Sequence, residues 1–153
     1  MKKFQYSMES ILQIKQKLEE QAKIAYGNMR AKLTQEEEKL ELLKRKKASY
    51  EEEMKMLRSD RLDVIKIKQC EQAIEVMKMN IKQQITVVKN AAHRLEVARI
   101  RLNDAMVERK TQEKLKEKAL EEYLLELDAW ERKEVDELNS FHYNDPAFHE
   151  EDS

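Results

Sequence analysis

From Ile67 onward a seven-residue repeat runs without a break, and it dictates a long helix packed lengthwise on another helix. Its first core position carries Ile67, Ile74, Ile81, Val88, Leu95 and Leu102, and its second carries Cys70, Met77, Gln84, Ala91, Ala98 and Ala105. Steps of three and four return these side chains to one helix face. An earlier seam runs through Phe4, Met8, Ile11, Leu18, Ala22, Met29, Leu33, Leu40, Leu43, Tyr50, Met54 and Leu57. If the chain reverses near Ser59–Arg61, facing residues have numbers that add to about 120, and the two seams match there. Leu57 then meets Val64, Met54 meets Ile67, Tyr50 meets Cys70, Leu43 meets Met77 and Leu40 meets Ile81. Leu33 meets Val88, Met29 meets Ala91 and Leu18 meets Leu102, while the polar Glu36 falls opposite the polar Gln84. The expected fold is all-α: a long two-helix antiparallel coiled-coil hairpin with the second helix longer.

Composition agrees. One glycine, one proline and 40% charged residues leave little of the turn chemistry that an enzyme with loops and a concave pocket needs. Thirty basic against 31 acidic residues give a net charge of −1, and hence no general attraction to nucleic acid or anionic membrane. A single cysteine, Cys70, has no partner for an intramolecular disulfide, and its place on the seam makes it a small core residue. The opening MKKFQYSMES has no apolar stretch, so no signal peptide is expected, and no segment approaches the length of a membrane span. Any membrane association is expected to come through a partner.

The first helix is expected over about 4–57, the turn over about 58–62 and the second helix over about 61–138. Ser7, Glu9 and Ser10 offer a later start to the first, and Ser59, Asp60 and Asp63 are plausible caps at the reversal. The steps Ala25, Met29, Leu33 form a stutter, a local unwinding of the supercoil. Gly27 lies beside it, as a site of either close backbone approach or a bend. Phe4 is expected to face Lys116, with Met8 and Ile11 facing Gln112 and Arg109, so the base of the hairpin should pack loosely. Positions 142–153, with Pro146 and the acidic run Glu150, Glu151, Asp152, are expected to form a disordered acidic tail.

No residue set carries chemistry. His93 falls outside the seam, and His142 and His149 lack companions for zinc. The carboxylate runs Glu36–Glu37 and Glu51–Glu53 have no desolvated cleft to split their pKa values. No phosphate loop or nucleophile elbow is present. No catalytic site, cofactor, metal or small-molecule substrate is therefore expected. Lys44, Arg45, Lys46 and Lys47 read as a solvated face or a patch for an acidic partner. The strongest interaction signal is the overhang of the second helix. Ala119, Leu120, Tyr123, Leu124, Leu127, Trp130, Leu138 and Phe141 have no cover from the first helix in this register, and they include the only tryptophan.

The two ends also carry a family resemblance. The opening FQYSMESILQIKQKLEEQAK, with Phe4, Met8, Ile11, Leu12, Lys15 and Glu19, resembles the start of the flagellar FliJ family. The closing KALEEYLLELDAWERKEVDELNSF, with its Val135, Asp136, Glu137 step, is similar to that family's end. The resemblance implies a cytoplasmic, non-catalytic component of flagellar type III protein export, held peripherally at the membrane through its partners. Family members are similar in shape to the gamma stalk of rotary ATP synthases. They insert the end bearing both termini into a hexameric export ATPase and reach toward the membrane export gate with the other. The implied ATPase end is Phe4, Met8, Ile11, Leu12, Tyr123, Leu127, Trp130, Leu138 and Phe141. The implied gate end is Leu43, Tyr50, Cys70, Ile74, Met77 and Ile81, although Lys39 and Lys46 stand where polar or aromatic residues are more usual. Two alternatives remain open at this point: a general export chaperone or escort of substrate-specific chaperones, and a structural coiled-coil dimer of continuous helices.

Overall fold

The computed structural model describes residues 2–59 and 63–143. It consists of two long helices packed antiparallel, α1 (Glu9–Ser59) and the longer α2 (Val64–Tyr143). Of the turn expected over about 58–62, residues 58 and 59 are helical and 60–62 lie outside the described residues, as do residues 144–153 of the tail expected from 142. The chain divides into two compact units, one formed by residues 1–18 with 106–153 and the other by Glu19–Ala105.

The unit Glu19–Ala105 fixes the register. Gln84 Nε2 donates to the Glu36 carboxylate at 2.6 Å and to the Glu36 carbonyl at 2.9 Å. The Cys70 thiol donates to the Tyr50 carbonyl at 3.1 Å. Both pairs have numbers that add to 120, as the seam match requires. Buried Met54, Cys70, Ala91 and Ala98 lie along this seam. The second helix begins at Val64, later than the expected Arg61, because Asp63 caps it. Asp63 Oδ1 accepts from the amides of Ile65 and Lys66, both at 3.2 Å, satisfying two donors that the first turn leaves open.

Along α1 the seam differs from the expected one. Buried or half-buried residues recur as Leu12, Lys15, Glu19, Ala22, Tyr26, Met29, Leu33 and Glu36, in steps of three and four throughout. Tyr26, not Ala25, takes the seam position, so the expected stutter is absent. Met8, Ile11 and Leu18, placed on the seam from sequence, are exposed, Leu18 by 44%. Glu19 takes the position expected for Leu18 and ion-pairs with Lys23 at 3.3 Å. Gly27 is exposed and helical, and a Cβ there would meet nothing within 4 Å. It therefore serves neither close approach nor a bend that needs glycine.

The unit formed by the two chain ends is built on polar pairs. Helix α1 starts at Glu9, five residues after the expected Phe4, with a turn closed by Glu9 N donating to the Tyr6 carbonyl at 3.1 Å. Residues 2–6 are not helical. An extended chain advances about 3.3 Å per residue against about 1.5 Å in a helix, so this segment reaches farther along α2 than a helix would. Phe4 consequently packs on Tyr123, one heptad beyond the expected Lys116, with ring centroids 5.4 Å apart. The Tyr123 hydroxyl donates to the Lys2 carbonyl at 2.8 Å. The polar residues of α2 in this unit meet polar partners instead of Met8 and Phe4. Tyr6 donates to Gln112 at 3.3 Å, Lys116 pairs with Glu9 at 2.8 Å, and Lys15 pairs with Glu108 at 3.0 Å.

Candidate partner-binding surfaces

Two surfaces follow from these elements, one in each unit. In the unit of the chain ends, Phe4 and Tyr123 are half-buried against each other, Leu127 is half-buried, and Leu12 is only 3% exposed. These four are the residues of the implied ATPase end that the unit buries or half-buries. Met8 and Ile11 point to solvent at the start of α1. Beyond Leu127 no described residue of α2 is buried, because the first segment of the chain reaches only to Tyr123. Trp130 is 43% exposed, Leu138 is more than half exposed, and Phe141 is 69% exposed. Leu120, Leu124, Leu125 and Val135 add to this apolar surface, and sequence reasoning did not single out Leu125. Helix α2 continues through Tyr143, so His142 belongs to the helix and not to the tail assigned from 142. Its ring meets Phe141 edge-on, with centroids 6.2 Å apart.

In the unit Glu19–Ala105 the residues implied for the gate end all lie in the seam. Leu43, Tyr50, Ile74, Met77 and Ile81 are half-buried, and Cys70 is buried. Their shared burial follows from the heptad that brings them to one line. Desolvation raises the Cys70 thiol pKa, with Glu53 and Glu71 adding to the shift, so the residue stays a neutral thiol in the core. The exposed apolar residues nearby include Leu42, Val76 and Met79. They alternate with charged neighbours on the outward faces, which is why seam periodicity did not reveal them. Lys44 and Lys47 of the basic run are paired with Glu41 and Glu51.

Glu36 is a strongly perturbed carboxylate. It is 4% exposed, and its pKa is lowered to about 2. The Gln84 hydrogen bond is the largest cause and the Lys32 contact the next, opposed by desolvation and aided by the charges of Lys39 and Lys32. The arrangement stabilises an ionised carboxylate and provides no proton for catalysis near neutrality. Among the described residues no group of three or more His, Cys, Asp or Glu side chains could hold a metal. No helix among them is long and apolar enough to cross a membrane.

The profile of the flagellar FliJ protein family matches residues 4–147, nearly the whole chain. The chain belongs to the FliJ family. It is thereby a member of a family of flagellar protein-export components. A search of curated protein sequences finds no match. Among solved structures, a YscO homologue from Chlamydia trachomatis has the same fold, with a TM-score of 0.64 and 21% identity. That similarity covers 99% of this chain and 100% of the other. The FliJ-family chain thus has a two-helix fold with one apolar helical end left open to solvent.

Proposed function

We propose that this chain is a non-catalytic stalk of the flagellar export apparatus. It engages and stimulates a hexameric export ATPase with the unit of its chain ends and links that enzyme to a membrane export gate with the other unit. The observation that carries this reading is the exposed stripe of α2 after Leu127, where Trp130, Leu138 and Phe141 face solvent. A tryptophan and a phenylalanine on one open helix are the kind of anchors that dominate an interface once they are desolvated. Met8, just before α1, and Ile11 within it add apolar surface in the same unit. Phe4, Leu12, Tyr123 and Leu127 act indirectly, by setting where the stripe begins. At the gate end, Leu43, Tyr50, Cys70, Ile74, Met77 and Ile81 keep the two helices in register. Direct contact there falls to their exposed edges and to Leu42, Val76 and Met79. Membership of the family supports export-apparatus partners.

The test is ATP hydrolysis by the cognate export ATPase, titrated with the full chain and its variants. Wild type should stimulate hydrolysis. Trp130→Ala and Phe141→Ala should each raise the concentration needed for half-maximal stimulation by about tenfold or more. Leu42→Ala and Met79→Ala should leave stimulation unchanged and weaken capture of the gate protein. Equal stimulation by all variants would remove the pore-engaging role. Suppression of aggregation of several unrelated proteins, with no effect on the ATPase, would point to a chaperone instead.

A further inference from the structure

We infer that the unit Glu19–Ala105 carries a second, lateral docking groove, built to take an acidic amphipathic helix of another protein. A cavity of about 340 Å³ opens along one side of the seam. Ala22, Ala25 and Met29 of α1 line it, with Val97 and Ala98 of α2. It exists because the seam positions Ala22 and Ala98 are alanine where a coiled coil ordinarily carries larger side chains, and exposed Ala25 beside them is equally small. The missing volume leaves an apolar trough between the helices, wide enough for side chains of leucine size.

The charge at its rim selects the occupant. Arg94 and Arg101 stand at the edge, one heptad apart on α2, which is about 10.5 Å along a helix. Neither makes an ion pair among the described residues, whereas Arg99 beside them is held by Glu96 at 2.6 Å. The neighbours of Arg94 at three and four residues are Asn90, Ala91, Val97 and Ala98, none of which is acidic. On the opposite wall Gln21, Ala25 and Asn28 share a face of α1 and are uncharged. In a chain with 40% charged residues, this groove is bordered by two guanidinium groups that make no ion pair among the described residues, Arg101 included although Asp104 stands three residues on. Guanidinium groups bind carboxylates with two parallel hydrogen bonds. The fitting partner is a helix with bulky apolar residues on one stripe and two carboxylates one heptad apart along its edge. It would lie in the trough as a third strand of the coil. This surface is separate from the stripe assigned to the ATPase and does not depend on that reading.

The probe is a labelled amphipathic peptide of three heptads with leucines at its core positions and two glutamates one heptad apart. A control peptide carries lysines in place of those two glutamates. Fluorescence anisotropy with the full chain should show the glutamate peptide binding about tenfold tighter than the lysine peptide, with the difference shrinking as salt is raised. The double variant Arg94→Glu/Arg101→Glu should exchange the preference. Ala25→Trp, at an exposed position that fills the trough, should abolish binding while circular dichroism shows unchanged helicity. Equal affinity for the two peptides, no binding of either, or indifference to the charge reversal would overturn the proposal. So would self-association of the chain lost in Ala25→Trp, which assigns the groove to a second copy. Binding of wild type, but not the double variant, to anionic vesicles with no peptide preference would assign it to a lipid surface.

Discussion

Gln84 binds Glu36 twice, reaching its carboxylate at 2.6 Å and its backbone carbonyl at 2.9 Å across the helix pair. A polar layer so satisfied accepts few substitutes, because either residue in another register would leave a buried group without its partner. Gln84→Leu should therefore lower the melting temperature, since it leaves the Glu36 carboxylate against an apolar neighbour. Glu36→Leu/Gln84→Leu should recover much of the loss while permitting slipped pairings. Thermal unfolding gives the first outcome. Distances between spin labels at positions 40 and 81 give the second, as a single narrow distribution in wild type and a broadened one in the double variant.

Acid should act through the same layer. The folded-state pKa of Glu36 is depressed to about 2 from an ordinary 4.5, chiefly by the Gln84 hydrogen bond. A depressed carboxylate contributes stability that is fully present above its unfolded value and is lost as pH falls through the folded value. Wild type should thus lose stability between about pH 4.5 and 2 from this group, and Glu36→Gln should lose less over that window. Melting temperatures at pH 6, 4 and 2.5 compare the slopes, and parallel slopes would contradict the assignment.

Phe4 and Tyr123 close the base by joining the extended start of the chain to α2. Removing the ring in Phe4→Ala should cost about 0.5–1.5 kcal/mol of local stability. Hydrogen exchange should rise at amides 2–9 and stay unchanged in 64–100. If exchange does not change at the chain start, the ring contact does not anchor it.

Gly27→Ala should stabilise the protein by about 0.5–1 kcal/mol, because glycine in a helix interior loses backbone entropy for no gain. The added methyl meets nothing within 4 Å. Denaturant unfolding measures the change, and a destabilised variant would mean that this position must bend.

Asp63→Ala removes the acceptor for the amides of Ile65 and Lys66. The expected cost is about 1 kcal/mol, with fraying confined to the first turn of α2. Asp63→Asn, which keeps an acceptor, should behave nearly as wild type.

The sequence by itself determined the helix pair and its register. In α2 the heptad positions from Ile67 to Ala105 are filled almost throughout by apolar or small residues, with Gln84 the exception, and this run sets the seam. The pairing of Tyr50 with Cys70 and of Glu36 with Gln84 follows from it. The sequence also marked Trp130, Leu138 and Phe141 as lacking cover. What the tertiary structure decided was the face that α1 turns inward near its start. That stretch offers two apolar stripes, one through Ile11 and Leu18 and one through Leu12, Ala22 and Met29, and periodicity alone does not rank them. The choice rests on α2, whose polar Gln112 and Lys116 need Tyr6 and Glu9 as partners. Satisfying those groups outweighs burying the larger aliphatics, so Ile11 and Leu18 stay in solvent and the chain start extends to Tyr123.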